Sequence, residues 1–134
     1  MNSSVVVVDD DAIIVEVLCA ILADEQVSAV GCTRGSEAWE LIRATQPSVV
    51  LLDVQMPDVD GLDVFRQLRA DPSTCGIPVI FITAMMHVVS EQLPAHAEQG
   101  ATVFPKPFDL MMLLELVHRR VAGSGRAVME QAEA

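Results

Sequence analysis

Asp9, Asp10, Asp53, Thr83 and Lys106 are the residues whose types and settings could do chemistry. Lys106 is the sole lysine among 134 residues, beside seven arginines and 19 carboxylates. It lies in the string Val103-Phe104-Pro105-Lys106-Pro107-Phe108. This chain builds its surface positive charge from arginine, so one lysine held between two prolines reads as a placed cation. Its counterparts are the triplet Asp9-Asp10-Asp11, after the apolar run 5–8, and Asp53, after the apolar run 49–52. Carboxylates that end two strands, with a lysine ending a third, describe a site for phosphate and metal.

Carboxylates gathered this closely repel one another, and ionising all of them requires a cation. Oxygen-only ligands at the mouth of a polar cleft favour Mg2+, which takes few carboxylates and keeps several waters. Asp9 and Asp10 are expected to supply the acidic ligands, directly or through water. Asp53 can touch the metal with one oxygen and present the other to an electrophile. A carboxylate attacking phosphorus forms an acyl phosphate. The charge on the phosphoryl oxygens then needs partners: the metal, Lys106, and the Thr83 hydroxyl or a backbone N–H.

These residues must be positioned by the elements between them. Apolar runs at 5–8, 27–30, 49–52, 79–82 and 101–104 read as strands, mostly rich in β-branched residues. Runs of four apolar residues imply burial on both faces, as in a parallel sheet; 27–30 is weaker and reads as an edge. Ile13, Ile14, Val17, Leu18, Ile21 and Leu22 form the apolar stripe of a first helix. Ser36 is placed to cap a second helix, with Trp39, Leu41 and Ile42 partly inward. Leu62, Phe65 and Leu68 mark a third, with Arg66 and Arg69 pointing to solvent, and Asp109 caps the last helix. Strict alternation of strand and helix gives right-handed crossovers and helices on both faces of the sheet. The expected fold is α/β, a doubly wound five-stranded parallel sheet. Sites in such sheets lie at the carboxyl ends of the strands, where all five residues fall. One domain over residues 1–121 is expected, followed by a break at Ala122-Gly123-Ser124-Gly125 and a tail to residue 134.

Composition narrows the function classes. Apolar residues make up 51% of the chain, enough for a real core. A net charge of −11 argues against direct contact with nucleic acid or an anionic membrane. No apolar run is long enough to span a bilayer, and Met1-Asn2-Ser3-Ser4 lacks the basic region of a signal peptide. Cys19, Cys32 and Cys75 lack metal-ligand spacing and read as small buried thiols in a reducing cytoplasm. No glycine-rich loop follows the first strand, which disfavours a flavodoxin-type cofactor protein. Gly61 reads as a tight turn before a helix, Asp11 as a turn into helix one, and His87, His96 and His118 as surface or helix-end residues. Trp39 reads as packing.

Val-Val-Asp9-Asp10-Asp11, Leu-Leu-Asp53-Val-Gln-Met56-Pro57-Asp-Val-Asp-Gly61, Thr83-Ala84 and Lys106-Pro107-Phe108 together resemble the receiver domain of bacterial response regulators. The match runs over residues 4–121. The resemblance implies a phosphoacceptor module that takes a phosphoryl group from a histidine kinase or histidine phosphotransfer protein onto Asp53, with Mg2+ required. It implies that Asp9, Asp10 and Asp53 hold the metal together with the backbone carbonyl of Gln55. Lys106 would pair with the phosphorylated carboxylate, Thr83 would move towards the phosphoryl group, and the Lys106–Pro107 bond would be cis. A receiver catalyses only its own phosphorylation and dephosphorylation. It acts on a downstream protein or an attached output domain, as a monomer or weak homodimer.

The chain departs from that family on one face. The position of the usual switch aromatic is Val103, and Phe104 one step later points to the other side of the strand. Pro94 falls where a fourth helix would run, so that helix is expected to start late, near Pro94, or to break there. Output is therefore expected to depend on rearranging residues 85–93. Met85, Met86, Met111 and Met112 would line an adaptable groove or fill the core. Two other readings stand beside the receiver: an Mg2+-dependent phosphohydrolase with an aspartyl nucleophile, and a scaffold that is never phosphorylated. The first usually wants an acid two residues after the nucleophile, where this chain has Gln55.

Overall fold

A strand with no polar position has no face to offer water, so it must be covered on both sides. The computed structural model, which describes residues 4–93, 95 and 99–133 (side chains only as far as 123), resolves the apolar runs in this way. Strands β1 (Ser4–Val8), β3 (Val49–Asp53) and β4 (Val79–Thr83) are buried along their whole length. They form the middle of a five-stranded parallel sheet of order β2-β1-β3-β4-β5. β2 (Ser28–Cys32), largely exposed, is one edge, and β5 (Ala101–Pro105) is the other. The doubly wound α/β sheet and the weak edge strand were both legible in the sequence.

Alternation along β1 divides the core in two. Val5 and Val7 face a layer with α1 (Ala12–Asp24) and α5 (Leu110–Glu133), built on Leu18, Leu22, Leu113 and Val117. Val6 and Val8 face the other layer, with α2 (Gly35–Thr45), α3 (Gly61–Ala70) and α4 (Met86–Gln92). Phe65 of α3 and Phe81 of β4 meet there edge to face, centroids 5.1 Å apart.

Several local expectations are corrected. In α1 the sheet-facing arc is Val15, Leu18 and Leu22, flanked by Ile14 and Ile21. Ile13 and Val17 are exposed, because the apolar stripe is wider than the arc the sheet can cover. Ser36 does not cap α2: the cap position is Arg34, and the helix amides are taken by Asp58 from a distant loop. Arg69 does not run free into solvent. Its guanidinium lies over the Phe65 ring at 4.6 Å, and its Nε donates to the Gln99 carbonyl at 2.6 Å. Cys75 is exposed, although Cys32 is buried as expected and all three thiols are free.

The fourth helix does not start late. It spans Met86–Gln92, and Leu93 (φ −133°, ψ 69°) caps it, its N–H donating to the Val89 carbonyl at 2.8 Å. Pro94, where the break was expected, and His96 lie outside the described residues. Likewise the backbone of α5 continues through the 122–125 run to Glu133, where a break was expected. Helix-favouring residues on both sides of Gly123 and Gly125 carry the helix past the cost of the two glycines. Met86, Met111 and Met112 are exposed and do not fill the core.

Asp11, Asp60 and Asp109 begin α1, α3 and α5, each with its side chain accepting helix amides. Gly61 is required by close packing. Its N–H donates to the Val54 carbonyl at 2.8 Å, and a Cβ there would collide with the backbone of Asp53 and Val54. Gly61→Ala is thus expected to cost about 2 kcal/mol or more, measured as a lowered urea midpoint with unchanged slope.

Candidate functional site

The site is made where the sheet changes direction. β1 and β3 are neighbours although α1, β2 and α2 separate them in sequence, and such a switch point opens a crevice at the strand ends. Val8 pairs with Leu52, so the next residues, Asp9 and Asp53, leave adjacent strands side by side. Thr83 ends β4 opposite Pro105, and Lys106 follows directly. The Lys106 N–H donates to the Thr83 carbonyl at 2.9 Å, which locks the third and fourth members together through the backbone. The Lys106–Pro107 bond is cis.

Lys106 Nζ lies 2.8 Å from Asp9 Oδ2 and 3.5 Å from Asp53 Oδ2. Asp9 and Asp53 are buried, and Asp10 is exposed at the rim. One oxygen from each of Asp9, Asp10 and Asp53 falls within a group no wider than 4.8 Å. The other Asp9 oxygen accepts the Asp11 N–H at 2.9 Å, and Asp53 Oδ1 accepts the Gln55 N–H at 3.3 Å. Gln55 lines an open cleft with Asp10, Met56 and Asp60. Thr83 Oγ1 accepts the Met85 N–H at 2.8 Å and leaves its own proton for donation.

The charges explain the protonation behaviour. Burial, then the negative charge of Asp9, pushes the Asp53 carboxyl up to about 6; Lys106 opposes this and does not cancel it. Burial pulls the Lys106 ammonium down, but its hydrogen bond to Asp9 and the charges of Asp9 and Asp53 outweigh that, and the net shift is upward. One lysine thus leaves the carboxylates undercompensated. Hard oxygen ligands carrying surplus negative charge fit a small divalent cation.

Asp9, Asp10, Asp53 and Lys106 come together here, Thr83 is joined to them through the Lys106 backbone, and Gln55 lines the neighbouring cleft. Asp58 was missed: it joins the loop after β3 to the start of α2, a helix 22 residues earlier in the chain, and no local pattern announces that contact. Val103 packs against the layer containing Val89 and Leu93, and Phe104 against the α1 and α5 layer, so the two occupy opposite faces. His118 meets Glu25 at 3.0 Å on the surface, and Trp39 packs on the core beneath Arg43.

Residues 5–118 match the family model described as the response regulator receiver domain, and the chain belongs to that family. It is 35% identical over 122 residues to the DNA-binding response regulator MtrA of Mycobacterium tuberculosis, covering 90% of this chain and 51% of that protein. The chain therefore spans about half the length of the curated relatives it matches. A solved response regulator receiver protein from Pseudomonas putida is 30% identical, with a TM-score of 0.77, covering 89% of this chain and 98% of that one. The receiver domain of the sensor histidine kinase PA1611 from Pseudomonas aeruginosa, solved with magnesium in its active-site cleft, shares the fold. Its TM-score is 0.76 at 21% identity, over 91% of this chain and 99% of that one. Receiver domains of response regulators are signalling modules of two-component systems. Among the described residues no helix is long and apolar enough to cross a membrane.

The raised Asp53 carboxyl fixes a pH dependence. Between about pH 4 and 6 the folded chain holds a proton that the unfolded chain releases, so stability falls as pH rises through that window. In Asp53→Asn that slope should disappear. Without divalent cations, the variant should be the more stable protein above pH 6 by roughly 1 kcal/mol, a figure reduced for water in the open cleft. Urea melts of both proteins from pH 4 to 8 measure it.

Proposed function

We propose that this chain is a phosphoacceptor receiver, with Asp53 taking a phosphoryl group from a phosphohistidine of a histidine kinase or phosphotransfer protein. The observation that carries this is the convergence of Asp9, Asp10 and Asp53 within 4.8 Å, with Lys106 as their cation. An oxygen of Asp53 attacks phosphorus, an O–P bond forms, and the P–N bond of the donor breaks. Its electron pair remains on the imidazole nitrogen, which then takes up a proton. Asp9, Asp10, Asp53 and the Gln55 carbonyl would hold Mg2+, which supplies charge neutralisation at the phosphoryl oxygens. Lys106 moves its attraction from the bare carboxylates to a phosphoryl oxygen, and the Thr83 hydroxyl donates to another.

Gln55 can neither protonate a leaving group as a general acid nor take a proton from water as a general base, which favours a held phosphoryl group over hydrolytic turnover. The net charge of −11 favours a protein partner, or an attached output domain, over direct nucleic-acid contact by this chain. DNA binding is a property of MtrA, of which this chain covers half. A cytoplasmic setting and a monomer or weak homodimer belong to the same proposal.

The output would run through residues 85–93. Thr83 grips Met85, and α4 carries one deeply buried side chain, Val89. Val103, without a ring, gives a rotating aromatic no role on that side.

Intact-mass spectrometry after incubation with acetyl phosphate is the direct test. One phosphoryl group should be gained with Mg2+, and none without it or in Asp53→Asn; an adduct surviving in Asp53→Asn overturns the assignment. Beryllofluoride, a phosphoryl analogue, should change amide exchange across residues 84–93. Unchanged exchange there sinks the output route and leaves the phosphorylation chemistry standing.

A further inference from the structure

We infer that Asp58 is a positioning residue for the metal-binding carbonyl of Gln55, holding the loop after β3 against the amino end of α2; this rests on the receiver reading above. Asp58 Oδ1 accepts the Gly35 N–H at 3.2 Å, and Oδ2 accepts the Ser36 N–H at 3.0 Å. No side chain from the α2 cap position itself does this work, since Arg34 makes no capping bond. The cap is thus supplied by the same loop that carries Gln55.

A separate observation places the loop on the helix. A Cβ on Gly35 would stand 3.0 Å from the Val59 carbonyl oxygen and 3.1 Å from the Met56 methyl, so glycine at this position lets the loop lie flush. At its far end the loop is closed by Gly61 donating to Val54 and by Asp60 accepting from Leu62 at 2.8 Å. Those bonds fix the ends of residues 54–61. Asp58 fixes the middle, adding to the bond that the Gln55 N–H makes to Asp53 Oδ1 at 3.3 Å. Orientation of a carbonyl ligand depends on such supporting bonds, whose loss typically lowers metal affinity at least several-fold.

The amide bonds also keep the anchor charged. The Ser36 N–H, with further help from the Ser36 side chain and the Gly35 and Val59 amides, outweighs slight burial and holds the Asp58 carboxyl at about 2. As a lowered carboxylate, its contribution is present above the ordinary carboxyl range and is lost only as pH falls through about 2. The tether is therefore present at any pH where the site is ionised.

The test is Mg2+ titration by isothermal calorimetry on the native chain, Asp58→Ala and Asp58→Asn, at a temperature where all three are folded. Asp58→Ala should weaken Mg2+ binding by roughly tenfold. Asp58→Asn, which keeps one acceptor oxygen, should fall between the two. A merely structural cap would speed amide exchange at Gly35 and Ser36 without moving the Mg2+ affinity; that result overturns the inference. A native chain that binds no Mg2+ is a different failure, removing the metal reading and this inference with it. Should Asp58→Ala not fold, the native and Asp58→Asn affinities decide the matter alone, and equality between them overturns it.

Discussion

Asp9 and Asp53 end neighbouring strands that are in register, so the sheet's hydrogen bonds force two carboxylates together at its mouth. Folding cannot relax this repulsion without breaking the ladder between two strands buried along their whole length. Everything around the pair answers to it. Lys106 is brought across from β5 to within 2.8 Å of Asp9, and the raised proton affinity of Asp53 records the charge left over. The sheet's apolar packing thus carries an electrostatic tension, and the proposed cation would relieve it.

That tension is confined by polar bonds from the loops. Thr83 is tied to Met85 through its hydroxyl and to Lys106 through its carbonyl, so β4, the start of α4 and the lysine share a single residue. A change in the Thr83 side chain is felt first at Met85, the residue preceding α4. At the other end of the sheet, away from the crevice, Arg69 joins α3 to Gln99, just ahead of β5, across the ring of Phe65. Among the described residues, the face that holds α4 thus has a polar attachment at each end of the sheet and contains a short helix with little buried surface.

The central sheet was legible because residues 5–8, 49–52 and 79–82 are continuous apolar runs, and such runs admit few alternatives to a buried strand. The site followed from the strands, since polar residues immediately after them can only lie at their carboxyl ends. Helix phase was harder. Both Ile13 and Val15 are apolar, and only the sheet decides that Val15 is covered and Ile13 is not. The start of α4 was misplaced from Pro94, because a proline can open a helix or follow one. Arg69 and Asp58 were opaque for a shared reason: each is a polar side chain whose partner lies more than 20 residues away in sequence.

Lys106 carries the chain's only side-chain amine, and only about a fifth of that side chain meets solvent. An amine-directed label therefore has one internal target, and that target is engaged with Asp9. Its reactivity becomes an optical or mass readout of whether the ammonium is paired, released or transferred to another oxygen. Acylation of this one nitrogen would also erase the positive side chain that pairs with Asp9 and Asp53, so a modification that is a minor surface event in most proteins would here act on the centre of the molecule.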